Sequence, residues 1–418
     1  MKKVFSMLLV SGMMILSAIF GFSQDITFAT FIDGPDLPVF QKQVASYEEE
    51  TGKDVELLVI PYADWKTKMI MMLQGGTPPD VARETDVVYL QDYAIDITPY
   101  VKQYTGMEPM DWLDTVTVYK SWFKTYSLEA GMIPAIPYTT DVFALFYNKE
   151  LFEMAGITVP TDGVWTIDQW YDAMVKLKEA GVRYPLVWDR SPSRFSWLLY
   201  TYGGGYWDET GTKIILDSKE SIEAMEFFLK IHDENLMPKA VWISGDAPLK
   251  YFQNGLSAMY LSGTWMLPTF AEQLDFEWGA IPMPVKRERY TYSGGKLIVP
   301  LTEEGVELAF YLTNKQNLAD ISSALYLLPD RSDMTEVTYD DKMVQEANIV
   351  AMNDLLNTSP AAKKRQDFDW YNLKTSPVIQ GNVSSIVNMV VSVLTHEQTP
   401  EEAMKKLADQ IRVEAGLK

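Results

Sequence analysis

Residues 131–160 read GMIPAIPYTTDVFALFYNKELFEMAGITVP, and the fold turns on how that stretch is read. After a turn at Gly131 comes an extended apolar segment, Val142 to Tyr147, with Asp141 at its mouth. An Asn148-Lys149 corner, a short helix and a loop bounded by Pro160 follow. A strand with an acidic mouth and a sharp corner suits a crossing between two lobes. On this reading Tyr138 to Asn148 carries the chain across, Asp141 stands in the cleft, and the corner opens the second lobe.

Upstream, Ile26 to Ile32 alternates and is rich in β formers before Gly34-Pro35, so it is a first strand. Leu37, Phe40, Val44 and Tyr47 recur at helical spacing, and Gly52 suits the cap. Val55 to Ile60 is a second strand, 63–74 a second helix, and Asp80 to Glu84 a third strand. Strand and helix alternating in this way is the α/β signature, with a parallel sheet and right-handed crossovers. Ligands of open α/β sheets sit beyond the carboxyl ends of the strands, which brings Asp33, Glu84 and Asp86 to one rim. A second α/β series follows the crossing. Thr166 and Gln169 form a capping box, Tyr184 to Trp188 and Leu256 to Leu261 are strands, and 217–234 is a helix. Ala280 to Val285 and Leu297 to Pro300 are further strands around a basic turn. The final third is helical, with Thr399, Pro400 and Glu402 marking a helix start.

At 418 residues the chain is too long for one comfortable core, so two lobes are expected. Residues 1–23 stand apart: Lys2 and Lys3 precede an apolar run from Met7 to Ile19, and small residues flank Phe22. That is the pattern of a secretory signal peptide. With no cysteine in the sequence, disulfides are excluded, as is anchoring through a lipid-modified cysteine, and a free periplasmic protein is expected. Two histidines, His232 and His396, read as surface residues and leave no basis for a histidine zinc site. The net charge of −21 argues against nucleic acid and anionic lipid as partners.

None of the motifs of nucleophilic, metal or nucleotide chemistry is present: G-x-S-x-G, HExxH, a Walker loop and a dinucleotide fingerprint are all missing. The triplet Gly203-Gly204-Gly205 lacks the ending of a phosphate loop. Paired carboxylates could hydrolyse glycosides, but among 57 acidic residues a pair found by eye carries no weight. The aromatics say more: 12 Trp, 23 Tyr and 18 Phe. Trp197, Trp265, Trp370 and Tyr206 fall at predicted strand ends and turns, where a core position is hard to supply. An indole face covers the apolar C–H patch of a pyranose while carboxylates and guanidinium groups bind its hydroxyls.

Five motifs then occur in order: Gln74-Gly-Gly-Thr-Pro-Pro-Asp80-Val, Ile136-Pro-Tyr with Leu145-Phe-Tyr-Asn148-Lys-Glu-Leu-Phe and Ala155-Gly-Ile, Trp165-Thr-Ile-Asp-Gln, Phe252-Gln-Asn-Gly-Leu-Ser-Ala-Met259, and Gly263-Thr-Trp265. Together they resemble the bacterial extracellular solute-binding proteins of family 1, the sugar receptors of ABC importers, over nearly the whole chain after the leader. The resemblance implies the periplasmic-binding-protein fold: two lobes, each a mainly parallel sheet flanked by helices, joined by a hinge of crossing segments. The lobes are expected at 24–140 with about 286–329, and at 141–285 with about 330–418. It further implies a sugar closed between the lobes and delivered to membrane permease subunits, by a monomer that needs no cofactor or metal and catalyses no reaction. Matched position by position, Trp265 stands where the family stacks an aromatic on its ligand, and Asp141 where an acid meets sugar hydroxyls. Arg194 and Trp197 lie in the turn that supplies a further aromatic. Glu84 replaces an aromatic found in some relatives, and Trp165-Thr166 inverts the usual order. Asp33, Gly294 and Trp370 are candidates by location alone. Two other readings stay open, a receptor for a cation such as a polyamine, using Asp33, Glu84, Asp86 and Asp141, and a secreted glycoside hydrolase.

Overall fold

The computed structural model describes residues 26–32, 36–90, 92–116, 123, 131–160, 163–334, 339–375 and 383–417; the side chains at 63, 370–375 and 383–384 lie outside that description. The predicted leader and Asp33 are outside it as well, and so is the side chain of Trp370.

The architecture is organised by one strand. We number the strands β1 (Ile26–Thr30), β2 (Val55–Val59), β3 (Val81–Glu84), β4 (Ile136–Asn148), β5 (Tyr184–Trp188), β6 (Ser257–Gly263), β7 (Trp278–Ile281), β8 (Ser293–Pro300) and β9 (Leu328–Pro329). They hydrogen-bond in the order β2-β1-β3-β8-β4-β6-β5, with β7 and β9 also on β4. Ile136 to Val142 of β4 pairs with β8, whereas Phe143 to Tyr147 pairs with β6 and Leu145 to Asn148 with β7. A single strand thus belongs to one sheet along its first half and to another along its second. Its side chains are buried on both faces except for half-exposed Asp141 and Tyr147, which explains the unbroken apolar run in the sequence.

Two hydrophobic cores flank the handover. One gathers residues from 26–138 and 297–327, the other from 142–290 and 339–411. The α/β class and the two-lobed arrangement hold, but the sheets are mixed. Among the described strands parallel pairing is confined to β1–β2, β1–β3 and β5–β6, while β4 meets β6, β7, β8 and β9 antiparallel and β8 runs antiparallel to β3. The reason is geometric: β8 brings the chain back along the strand that took it across, so the two run in opposite directions.

Local signals build the elements around these sheets. Asn148 Oδ1 accepts from Leu151 N at 3.0 Å and starts the helix Lys149–Met154 at the predicted corner. Thr166 and Gln169 close a reciprocal capping box on Ile167–Glu179, with bonds of 3.1 and 2.9 Å, and Thr399 and Glu402 do the same for Pro400–Glu414. His232 is not a surface residue. It is fully buried, Nδ1 lies 2.7 Å from Phe228 O, and burial pushes its pKa down to about 3, so it serves the core as a neutral ring. His396 is exposed, as expected, beside Asp233 at 3.2 Å. Tyr206, expected at a turn, is also core. Among the described residues no helix is long and apolar enough to cross a membrane, and no group of three His, Cys, Asp or Glu could hold a metal ion.

Candidate binding cleft

The handover point of β4 opens onto a cleft of about 350 Å³, within the range of small-molecule sites. Its lining comes from both sides of the crossing: Phe31, Ile32, Tyr62 and Thr85 on the first, Phe143, Ser193, Arg194 and Trp265 on the second. Between them lie Asp141 and Tyr292, Gly294, Gly295 and Lys296 from the crossing segments.

The second wall is a layered stack. Tyr292 lies on Phe143 with centroids 4.6 Å apart, and Trp265 meets Phe143 edge-on at 5.8 Å. The Arg194 guanidinium sits 4.5 Å from the Phe143 ring centre and 4.7 Å from that of Trp265. Asp189 holds that guanidinium in an ion pair, and is itself held by Tyr260 Oη at 2.6 Å and Ser262 Oγ at 3.1 Å. Among the described residues Arg194 Nε is buried with no hydrogen-bond partner. Trp265 occupies the single turn after β6 (Thr264–Met266) and is half-buried. Gly263 makes its pose possible, since a Cβ there would lie 2.0 Å from the indole.

The floor is ionic. Lys296 Nζ donates to both oxygens of Asp141, at 3.0 and 2.8 Å, and its side chain is almost wholly buried. Gly294 stands opposite Asp141 in the β4–β8 ladder and leaves the sheet open beside that carboxylate. At Gly295 the constraint is packing: a Cβ would lie 1.8 Å from the carbonyl oxygen of Thr139, just after the register shift between Pro137 and Thr139.

The first wall is thinner and more exposed. Tyr62, at the start of the helix Tyr62–Gln74, is 59% exposed; its ring leans on Phe31 at 4.9 Å and its hydroxyl is 3.3 Å from Thr85 Oγ1. Behind it, Trp65 meets Phe31 edge-on at 5.2 Å.

Of the residues singled out in the sequence, Asp141, Arg194, Trp265 and Gly294 come together in this cleft. Trp197, Glu84 and Asp86 do not line it. Trp197 is fully buried in the second core, edge-on to Trp170 and Trp188, with Nε1 donating to Tyr290 O at 3.0 Å. The helix Pro192–Thr201 starts at Pro192, so Trp197 lies more than a turn inside it and points inward instead of standing on a rim. Glu84 is 1% exposed and accepts from Trp65 Nε1 at 2.7 Å and from Tyr89 Oη, so its carboxyl faces inward. Burial pushes that carboxyl up to about 8, against the lowering effect of those two bonds. Asp86 is half-exposed at the same rim, paired with Lys66 at 3.4 Å and capping Val88 N, and does not line the cleft. Phe31, Tyr62, Phe143, Tyr292 and Lys296 were not singled out. Lys296 and Gly294 occupy one strand, so a basic residue two positions past a candidate glycine was the available signal.

The comparisons with known proteins agree with this geometry. The family described as "Bacterial extracellular solute-binding protein" matches residues 33–307. The chain is 22% identical to an arabinooligosaccharide-binding protein of Halalkalibacterium halodurans, over 93% of this chain and 88% of that one. It is 23% identical to a maltotriose-binding protein of Pyrococcus abyssi over 68% of this chain, and the match spans only 57% of that relative. Among solved structures, the substrate-binding protein Lmo0181 of Listeria monocytogenes in complex with cycloalternan superposes with a TM-score of 0.75 at 20% identity, covering 94% of this chain and 99% of that one. UgpB of Mycobacterium tuberculosis in complex with glycerophosphocholine gives 0.73 at 18% identity, over 94% and 99%. Those structural likenesses speak for the fold. The match over more than half of the chain carries the assignment: this protein belongs to the bacterial extracellular solute-binding proteins.

Proposed function

We propose that the chain is the receptor of an ABC importer for carbohydrate, capturing an oligosaccharide or a small sugar in the cleft and handing it to membrane permease subunits. The observation that carries this reading is the composition of the cleft: a half-buried indole beside a buried ion pair, faced across the gap by an exposed tyrosine. A pyranose offers apolar C–H faces for the rings and hydroxyls for Asp141, Arg194 and Lys296. The names of the two oligosaccharide-binding relatives support the same class.

Charge argues against a polyamine. Among the described residues the charged side chains of the lining are Asp141, Arg194 and Lys296, and the one carboxylate among them is already bound to Lys296. Among the described lining residues a polycation would meet Arg194 and no free acid to replace its water. Export through residues 1–23, a periplasmic location and action as a monomer without catalysis complete the proposal. The lobe division, 24–140 with about 286–329 against 141–285 with about 330–418, draws support from the two cores, although Tyr290 packs with the second.

The deciding experiment is calorimetry of a panel of mono- and oligosaccharides beside spermidine, with scattering on each complex. A sugar that binds, compacts the particle and is recovered unchanged is the expected result. Binding of spermidine alone, or turnover of a nitrophenyl glycoside, would overturn it.

A further inference from the structure

Glu84 does not line the cleft, yet three of the four residues of its first wall connect to it. Thr85 follows it in the chain and donates its backbone N–H to Glu84 Oε2 at 3.2 Å. Tyr62 is hydrogen-bonded to Thr85 and shares its helix with Trp65, whose indole N–H donates to Glu84 Oε1. Phe31 packs on the ring of that same Trp65. On the far side, Tyr89 Oη donates to Oε1 as well, from the turn Val88–Leu90, on which the helix Pro360–Thr375 packs. A single buried carboxyl therefore ties together the helix, the strand end and the turn that make up this side of the cleft.

Among the described residues the groups around it are few. Helix 62–74 presents Trp65 and Lys66, the 88–90 turn presents Tyr89, and β8 places apolar Leu297 opposite in the ladder. Asp86, on its own segment, bonds Lys66, which also lies 5.1 Å from the Tyr89 ring. Arg83 points to the opposite face of the strand, where it meets Asp36 at 2.7 Å and Phe31 O at 2.8 Å. No cation among these is bonded to Glu84, and the charge of Asp86 disfavours its ionisation.

We propose that Glu84 is the positioning residue of the first wall: its carboxyl fixes Trp65, Tyr89 and Thr85, and through them Phe31 and Tyr62, so its protonation state sets how tightly this wall holds a ligand. The sign follows from linkage. A ligand seated against Phe31 and Tyr62 removes water from the layer above Glu84, and a drier carboxyl holds its proton more tightly. Proton and ligand then favour each other reciprocally, and affinity falls as pH rises through the range where Glu84 ionises. The affinity arm of the inference rests on the carbohydrate-receptor reading; the spectroscopic arm does not.

The test follows the indole N–H resonance of Trp65 by NMR in the ligand-free, full-length protein labelled at tryptophan, assigned with Trp65→Phe, from pH 6.5 to 9.5. A shift with a midpoint near pH 8 that disappears in Glu84→Gln is expected. In the affinity arm, the sugar selected by calorimetry should bind the wild type several-fold more weakly at pH 9.5 than at 6.5, while Glu84→Gln binds with little change. A Trp65 resonance that does not move over this range overturns the inference, needs no folded variant to be read, and stands whether or not any sugar binds. Equal pH slopes for wild type and Glu84→Gln overturn it too. Failure of every sugar to bind sinks the carbohydrate reading instead and leaves the resonance to decide.

Discussion

The two walls of the cleft are built on different principles. The second wall is a stack in which each layer is fixed by the next: Tyr292 on Phe143, Arg194 on Phe143 and Trp265, and Asp189 behind Arg194. The first wall is one layer deep, with Tyr62 and Ile32 more than half exposed and a buried acid, not a salt bridge, behind them. The contrast teaches that a binding surface need not be equally rigid on its two sides. The stacked wall is preformed, because its aromatic and charged groups are paired before any ligand arrives. The thin wall depends on what covers it.

That contrast can be broken in four ways. The largest effect is expected from Asp141→Asn, which leaves Lys296 buried against a neutral amide; unfolding in denaturant should show a loss of about 3–5 kcal/mol, recovered in large part by Asp141→Asn with Lys296→Met. A loss below about 1 kcal/mol would mean that the ionic floor is solvated and the stacked wall less fixed than the distances say. Next, Trp265→Ala should cost about 2–4 kcal/mol of sugar affinity, roughly 30- to 1000-fold by calorimetry. Unchanged affinity would remove the indole from the site.

Trp197→Phe is the control behind that wall. It leaves Tyr290 O without its donor and opens a small void, so stability should drop by about 1–2 kcal/mol while affinity stays within about twofold. A larger fall in affinity would bring Trp197 back as a ligand contact. The smallest effect is expected on the thin wall: Tyr62→Ala should weaken binding by about 1 kcal/mol, roughly fivefold, since the ring is largely exposed without ligand. Should Tyr62→Ala match Trp265→Ala, the asymmetry between the walls is gone.

Stability also responds to pH on the first side. The folded-state pKa of Glu84 is raised, so between the ordinary carboxylate range and about 8 the folded chain holds a proton that the unfolded chain has released. Its contribution is complete below pH 4.5 and falls away as pH rises toward about 8. Asp369, buried against Tyr200, Tyr206 and Trp207 and raised to about 7, acts in the same sense in the second core. Thermal unfolding of Glu84→Gln should therefore show a shallower decline over that interval than the wild type.

The reading of residues 131–160 captured the crossing strand, the capped corner at Asn148 and the acid at the cleft. These are local: an apolar run bounded by turn residues, a helix start, and one charge interrupting a buried strand. Trp265 was legible because it follows a strand and a glycine that its own ring requires empty. Trp197 and Glu84 were misplaced for one reason. Proximity to a strand end in sequence fixes a residue's position along the chain but not the face its side chain takes, and in both cases that face was the inner one.

By itself, then, the sequence determined the alternation of strands and helices, their caps, the aromatic and acidic stock, and the absence of cysteine and of the G-x-S-x-G and HExxH motifs, because each is read from residue identities and short-range spacing. Tertiary structure alone decided that β4 divides its hydrogen bonds between two sheets and that the ladders are mixed. It also paired Asp141 with Lys296, 155 positions away, and put the carboxyl of Glu84 beneath the wall instead of on it. The acidic mouth of the crossing strand is half of a buried ion pair, and its partner arrives only when β8 returns beside β4. Contacts of that kind depend on how the strands close on one another, which no local pattern of residues encodes.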